Sequence, residues 1–375
     1  MNIDAFDRPS GYNRTFGRFC TDGVGAQDRA AFCCAFASPS GDVRMSTALP
    51  LTVSVPSPLA ILEDKPLVED VRKLSRVNNV RAALIIAQQW ATIAVVVAAA
   101  VYFDRWWLYI PAAAIIAAKQ QALGIIMHDA THYRLFTARW ANEYISNFFC
   151  AFPLGMSTQG YRGEHLEHHL ATNTPEDPYY RMFQSSTMWQ WPKTRWQAFR
   201  QLLGDVSGWH SLSSMKVLRR WMPINQFLLH RNDPKLARRV KIDVLCSITF
   251  WATMVTLFSY FGVWKYFLLL WVVPNATFYV LYMRIRWIAE HPYDQQADLS
   301  DSTRHVRGTW LERYTIAPLN INYHIAHHLF PAVPLYNLPR VHARLMENEL
   351  YREHGELFHD YLGKVDSIRA ELIVR

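Results

Sequence analysis

The sequence predicts an all-α membrane protein: four transmembrane helices arranged as two hairpins, with a cytoplasmic helical cap that carries a set of histidine boxes. Three observations predict it. Apolar runs of about twenty residues, long enough to cross a hydrocarbon layer, occur as two closely linked pairs. Nine of the fifteen histidines fall into three tight groups and one outlier. Lys and Arg concentrate between the two pairs of runs.

The first sixty residues are rich in Ala, Ser, Gly and Pro and lack the uninterrupted apolar core of a secretory signal. Residues 1–60 are therefore expected to be a disordered extension, with Met45 an alternative start. A folded body is expected over residues 61–345 and a C-terminal cytoplasmic tail over residues 346–375. The first pair of apolar runs covers residues 82–103 and 106–127; the second covers 244–262 and 264–283, the last interrupted by Pro274 and Asn275. Links of a few residues make each pair enter and leave on one side, so the polar segments beyond both pairs share that side. Residues 141–155 form an apolar stretch too short to span, which is expected to lie at the interface.

Between residues 133 and 242 there are fifteen Lys or Arg, whereas the hairpin tips hold little beyond Arg105 and Lys265. That asymmetry makes the polar side cytoplasmic. A composition of 51% hydrophobic residues argues against a plain soluble domain. No nucleic-acid-binding motif accompanies the basic charge, which excludes that class of partner. The five cysteines, Cys20, Cys33, Cys34, Cys150 and Cys246, form no CxxC, so neither a disulfide framework nor a thiolate zinc site is expected.

The histidines are His128 and His132, then His165, His168 and His169, then His291, then His324, His327 and His328. A helix brings residues i, i+3 and i+4 to one face, and neutral imidazole suits Fe, Zn, Cu or Ni. His168 and His169 lie about 100° apart around a helix, so they diverge to either side of His165 and one turn is able to serve two metals. Asp129, Asp177, Glu290 and Glu167 lie close in sequence to these groups and are candidates to accept the second imidazole proton. Lys119, Gln120 and Gln121 sit inside the second run, where polar groups are costly and suggest function; contact with a substrate head group and hydrogen bonding between helices are both open. Arg284 and Arg286, at the end of the fourth run, are expected to snorkel. His210, His230, His305, His342, His354 and His359 lack the spacing and are read as ordinary structural or surface residues.

Residues 127–132 (MHDATH), 164–169 (EHLEHH) and 322–331 (NYHIAHHLFP) resemble the three histidine boxes of the integral-membrane fatty acid desaturase superfamily. Thr172-Asn173, Asp177-Pro178, Glu290-His291 and Pro334 through Leu338-Pro339 are also similar to that family, and the resemblance covers roughly residues 60–345. It implies two iron ions held almost wholly by histidine, with His291 as the ligand outside the boxes. It further implies O2 as co-substrate and attack on an aliphatic acyl or lipid chain. Desaturation is the expected outcome, with hydroxylation and ketolation as alternatives on the same scaffold. No haem, flavin or iron–sulfur pattern is recognisable in the chain, so electrons are expected from a partner of the ferredoxin or cytochrome b5 type. A histidine-rich metal transporter is the alternative of another class. It would place ligands deep in the membrane, whereas the runs hold no histidine before their cytoplasmic ends.

Overall fold

The computed structural model describes residues 58–291, 303–355 and 357–374. The expected disordered extension, residues 1–60, lies outside the described residues except for its last three. Among the described residues the regular structure is helical, with only two-residue strands and no closed sheet.

Four helices are long and apolar enough to cross a membrane: Asn79–Phe103, Trp106–Thr131, Ala237–Phe261 and Trp264–Glu290. We call them the first to fourth spans. Each extends beyond its apolar run at the histidine-bearing end; in the first, third and fourth spans polar helix formers such as Arg81, Arg238, Arg239 and Glu290 carry the helix on after hydrophobicity stops. The first span opens on Asn78, whose side-chain oxygen accepts the Arg81 N–H at 3.0 Å, and closes on Asp104, which turns left-handed at φ 39°. Asp104 then accepts from the Tyr109 hydroxyl (2.6 Å) and pairs with Lys265 (3.3 Å), which ties the tip after the first span to the tip before the fourth. Exposed Tyr102, Trp106, Trp107 and Tyr260 surround this end, as aromatic residues do at a membrane boundary.

The fourth span is not uniform. Helical turns at Trp264–Phe267 and Val280–Glu290 flank two wider, π-type turns at Leu268–Val272 and Asn275–Tyr279. The interruption expected at Pro274 and Asn275 is thus a local widening rather than a break: proline's missing N–H and its ring displace the hydrogen-bond ladder without ending the helix.

The second span is the most enclosed of the four. It packs against the first span, the wide turns of the fourth, and the helix Thr158–Leu170. The apolar stretch around residues 141–155 folds as a helix, Arg139–Ser146, continued by the turns Asn147–Ala151 and Phe152–Leu154. It is held by indole N–H groups: Trp90 donates to the Phe149 carbonyl at 2.9 Å and Trp271 to the Pro153 carbonyl at 3.0 Å.

Residues beyond 345 fold back onto the body. Leu357–Phe358 pairs in parallel with His305–Val306, and Ile373–Val374 with Lys193–Thr194. Tyr351, Tyr361 and Leu372 are buried by this return.

The two arginines of the fourth span correct the expectation of snorkelling. Arg284 is fully buried, its Nε donating to Asp205 at 2.5 Å and its guanidinium lying 4.3 Å from the Trp189 ring centroid. Arg286 turns inward too, 3.7 Å from Glu290. A carboxylate brought to the span by the helix Arg195–Val206 provides the partner that the local sequence does not reveal.

Candidate metal centre

Four local devices aim the histidines at one point. The last turn of the second span carries His128, and His132 follows directly, after which Tyr133 (φ 57°) turns the chain away. Helix Thr158–Leu170 opens on Ser157, whose hydroxyl accepts the Gly160 N–H at 2.9 Å. Gly160 is required there by close approach, since a Cβ would stand 2.7 Å from the Trp221 carbonyl oxygen. The short helix His324–Leu329 follows a left-handed turn at Leu319 and Asn320, and Asn322 anchors it by donating to the Val306 carbonyl at 2.8 Å. His291 closes the fourth span.

The nine predicted histidines come together as two adjoining sets. In the first, His128, His132, His165, His169 and His327 offer ligand nitrogens that all lie within 4.8 Å of one another. In the second, His168, His291 and His328 meet the same limit, and His324 joins them, its Nε2 2.8 Å from that of His291 and 3.1 Å from that of His328. Adjacent histidines part company as helix geometry requires: His169 faces the first set and His168 the second, and likewise His327 and His328.

The spacing fits ions better than hydrogen bonds. In the first set the Nε2 atoms of His132, His165, His169 and His327 form a chain of contacts at 2.9, 3.1 and 3.1 Å. In the second, His168, His291, His324 and His328 form one at 3.2, 2.8 and 3.1 Å. Each Nε2 carries either one proton or one in-plane lone pair, so it takes part in at most one N–H···N bond. At least one contact in each chain therefore has no hydrogen bond to explain it. Two nitrogens bound side by side to one ion at about 2.1 Å stand about 3 Å apart, which is the spacing observed.

The opposite ring nitrogens fix several imidazoles. His168 Nδ1 lies 2.9 Å from Asp177 Oδ2, His165 Nδ1 3.2 Å from the Tyr161 hydroxyl, and His328 Nδ1 3.3 Å from the Thr172 hydroxyl. The Thr172 hydroxyl donates to the His168 carbonyl at 2.7 Å, so it accepts from His328 Nδ1–H and leaves Nε2 free to bind. Glu290 is buried with Oε2 3.8 Å from His324 Nδ1. Asp129 accepts from the Leu335 backbone N–H rather than facing an imidazole at hydrogen-bond distance. Tyr161 and Tyr179 also stack on His165 (centroids 4.9 Å) and His168 (4.7 Å). Tyr161 is missed by motif reading, although its place four residues before His165 on one helix was a usable signal.

Burial pushes the imidazoles of His132, His165, His169, His324 and His328 well below the usual range, and the neighbouring rings push the same way. His327 is pushed down to about 3 by burial first and His168 second. Those six imidazoles are thus held in the neutral form, the form that binds metal.

Lys119, Gln120 and Gln121 are buried below the cup. Lys119 Nζ lies 3.8 Å from the centre of the Tyr314 ring, Gln120 donates to the Trp271 carbonyl at 2.9 Å, and Gln121 to the Ile316 carbonyl at 3.2 Å. His210 and His305 stay outside both sets: the first pairs with Asp205, the second stacks on His342.

The fatty acid desaturase family profile matches residues 104–361, which include all nine histidines. Dihydrorhizobitoxine desaturase of Bradyrhizobium elkanii is 28% identical over 280 residues, 74% of this chain and 78% of that protein. An sn-1 oleoyl-lipid 12-desaturase of Anabaena variabilis is 26% identical over 271 residues, 68% of this chain and 73% of the relative. Another of that name, from a Synechocystis species, is 30% identical over 244 residues, 60% and 64% of the two chains. With four apolar helices of spanning length, a histidine cup of two sets and a family match across both, this membrane protein belongs to the fatty acid desaturase family and is an oxidoreductase of desaturase type.

Proposed function

We propose that the two histidine sets each hold one iron ion, and that the protein uses O2 and external electrons to desaturate an aliphatic acyl or lipid chain. The observation that carries this reading is the pair of Nε2 chains at 2.8–3.2 Å, whose contacts hydrogen bonding alone leaves unexplained. The donor chemistry supports it: imidazole tolerates an oxidising centre that would consume thiolates. When bound, such a pair of irons supplies activation of O2 and removal of hydrogen from an unactivated C–H bond.

The chain's own residues perform the rest. Asp177, Tyr161 and Thr172 hold imidazoles at their far nitrogens so that Nε2 points inward, and Glu290 stands behind the His324 ring. The mostly buried histidines exclude bulk water from the reacting chain. Lys119, Gln120 and Gln121 are placed about two turns or slightly more below His128 and are proposed to meet the substrate: among the described residues Gln120 Oε1 has no partner and Lys119 has only the Tyr314 ring. The apolar substrate class follows from the oleoyl-lipid desaturases among the relatives and from a cup that adjoins the spans. The two pairs of spans are read as hairpins with the cup on the cytoplasmic face, where basic residues face an acidic electron donor of the ferredoxin or cytochrome b5 type.

The test is iron per chain in detergent-purified protein, with Mössbauer spectra, beside His168→Ala and His132→Ala. About two irons are expected in the parent, and each substitution disturbs a different ion. A product screen by mass spectrometry against acyl lipids then looks for loss of two hydrogens. Stoichiometric zinc with no O2-dependent product, or no iron after reconstitution, overturns the reading.

A further inference from the structure

The segment between the second and third spans carries an apolar face that the metal centre does not use. On helix Arg195–Val206, Trp196, Phe199 and Leu203 are 64%, 53% and 50% exposed, and they fall within about 60° of each other around the axis. The opposite face, with Ala198, Gln201 and Asp205, is buried, and the helix packs on the fourth span. The exposed face continues through Trp209 (83%) to Leu212 (76%) on helix Ser211–Leu218.

Depth can be read from the fourth span. The turn between the two helices comes down beside Ala276, where a Cβ on Gly208 would stand 3.5 Å from the Ala276 carbonyl oxygen. Ala276 follows Trp264, at the aromatic boundary, by twelve residues, which at about 1.5 Å each is at most about 18 Å. A hydrocarbon layer is about 30 Å thick, so the turn lies about 12 Å inside the histidine-side boundary.

The polar groups behave accordingly. Ser207, Ser211 and Ser213 donate their hydroxyls to carbonyls three residues earlier, at 3.3, 2.6 and 2.7 Å. Thr249, Thr253 and Thr256 on the third span likewise satisfy themselves within their helix, at 2.9, 2.8 and 2.9 Å. Asp205 is enclosed by Arg284, His210 and Gln201. Such internal satisfaction is what hydrocarbon demands. Exposed Arg195, Arg200, Lys216 and Arg219 border the apolar face, where their heads are placed to reach anionic lipid phosphates.

We propose that residues 195–218 form a re-entrant helical hairpin seated in the acyl chains of the leaflet on the histidine side. The occupant of the exposed face is lipid, continuous with the lipid that covers the third and fourth spans. The proposal rests on the reading that the four spans cross a bilayer, and the experiment separates the two.

Single cysteines are added by Leu212→Cys and, as a second variant, Trp209→Cys. Val95→Cys, 69% exposed in the middle of the first span, is the membrane control, and Arg340→Cys, exposed on the cap, is the aqueous one. Each is reconstituted in nanodiscs of phosphatidylcholine and phosphatidylglycerol, with the unsubstituted protein as background. The rate of reaction with a water-soluble maleimide is measured, and an environment-sensitive label is quenched by spin-labelled lipids. Leu212→Cys and Trp209→Cys are expected to react about tenfold more slowly than Arg340→Cys and to be quenched more by acyl-chain than by head-group spin labels. Reaction as fast as Arg340→Cys overturns the hairpin. Slow reaction without acyl-chain quenching also overturns it, because a protein then covers the face. If Val95→Cys itself behaves as aqueous, the membrane reading fails instead.

Discussion

Asp177 is the carboxylate on which the second histidine set most depends. It is fully buried. Its Oδ2 accepts from His168 Nδ1 at 2.9 Å and the Asn173 N–H at 3.0 Å, and its Oδ1 accepts the Tyr179 N–H at 2.8 Å, which caps the helix Pro178–Gln184. Asp177→Asn leaves one carbonyl oxygen. Turned toward His168 and Asn173, it keeps the imidazole oriented but loses the charge and the cap. Turned the other way, it sets an NH2 against two donors. The first arrangement costs less, so the loss in iron affinity is expected at the low end of the range for such partners, about tenfold or about 1.4 kcal/mol. Asp177→Ala removes every acceptor and is expected to cost up to about a hundredfold in affinity, and a further ~1 kcal/mol of stability from the lost cap. Fe(II) dissociation constants measured anaerobically against a competing chelator read the first effect, and thermal unfolding reads the second. Parental iron affinity in Asp177→Ala would refute the role given to Asp177, as would a larger loss in Asp177→Asn than in Asp177→Ala.

Other substitutions probe the frame. Arg284→Met leaves the Asp205 charge buried and is expected to destabilise by about 3–5 kcal/mol, with most of that recovered in Arg284→Met/Asp205→Asn; thermal unfolding in nanodiscs decides, and additive losses would sink the idea. Gly160→Ala drives a Cβ to 2.7 Å from the Trp221 carbonyl oxygen and is expected to cost about 1–3 kcal/mol by overpacking, read as a lowered melting temperature. His305 is pushed from 6.5 down to about 3, by burial first and His342 second. As pH falls below 6.5 the unfolded chain takes this proton first, so stability present above pH 6.5 is lost at about 1.4 kcal/mol per pH unit toward pH 3. His305→Phe should flatten that slope by one proton, and an unchanged slope would count against the burial of His305.

The four spans were legible because spanning length and apolar composition are properties of a continuous stretch. Their ends were not, since residues such as Arg238, Arg239 and Glu290 extend a helix without being apolar. The histidines were legible for a similar reason: i, i+3 and i+4 spacing states a shared face in the sequence itself. What escaped depends on contacts between distant segments. Asp205 is seventy-nine residues from Arg284, and nothing near either one announces the pair. The return of residues 357–374 onto strands at 193–194 and 305–306 likewise rests on two-residue pairings too short to leave a pattern.

The split of the histidines into two sets follows from that same helix arithmetic and constrains the chemistry. Were HLEHH and HIAHH to serve one ion each, His168 and His169, or His327 and His328, would have to converge, which a step of about 100° per residue forbids. On the proposed two-ion reading, each motif would instead supply both ions. The helices Thr158–Leu170 and His324–Leu329 would then be bridged twice, and neither ion would bind fully unless both helices were in place. Loading of the two ions should then be coupled: iron titrated into the apo-protein is expected to fill both positions together rather than one after the other. A stable one-iron form carrying a fully ordered second set would show that the two sets are independent.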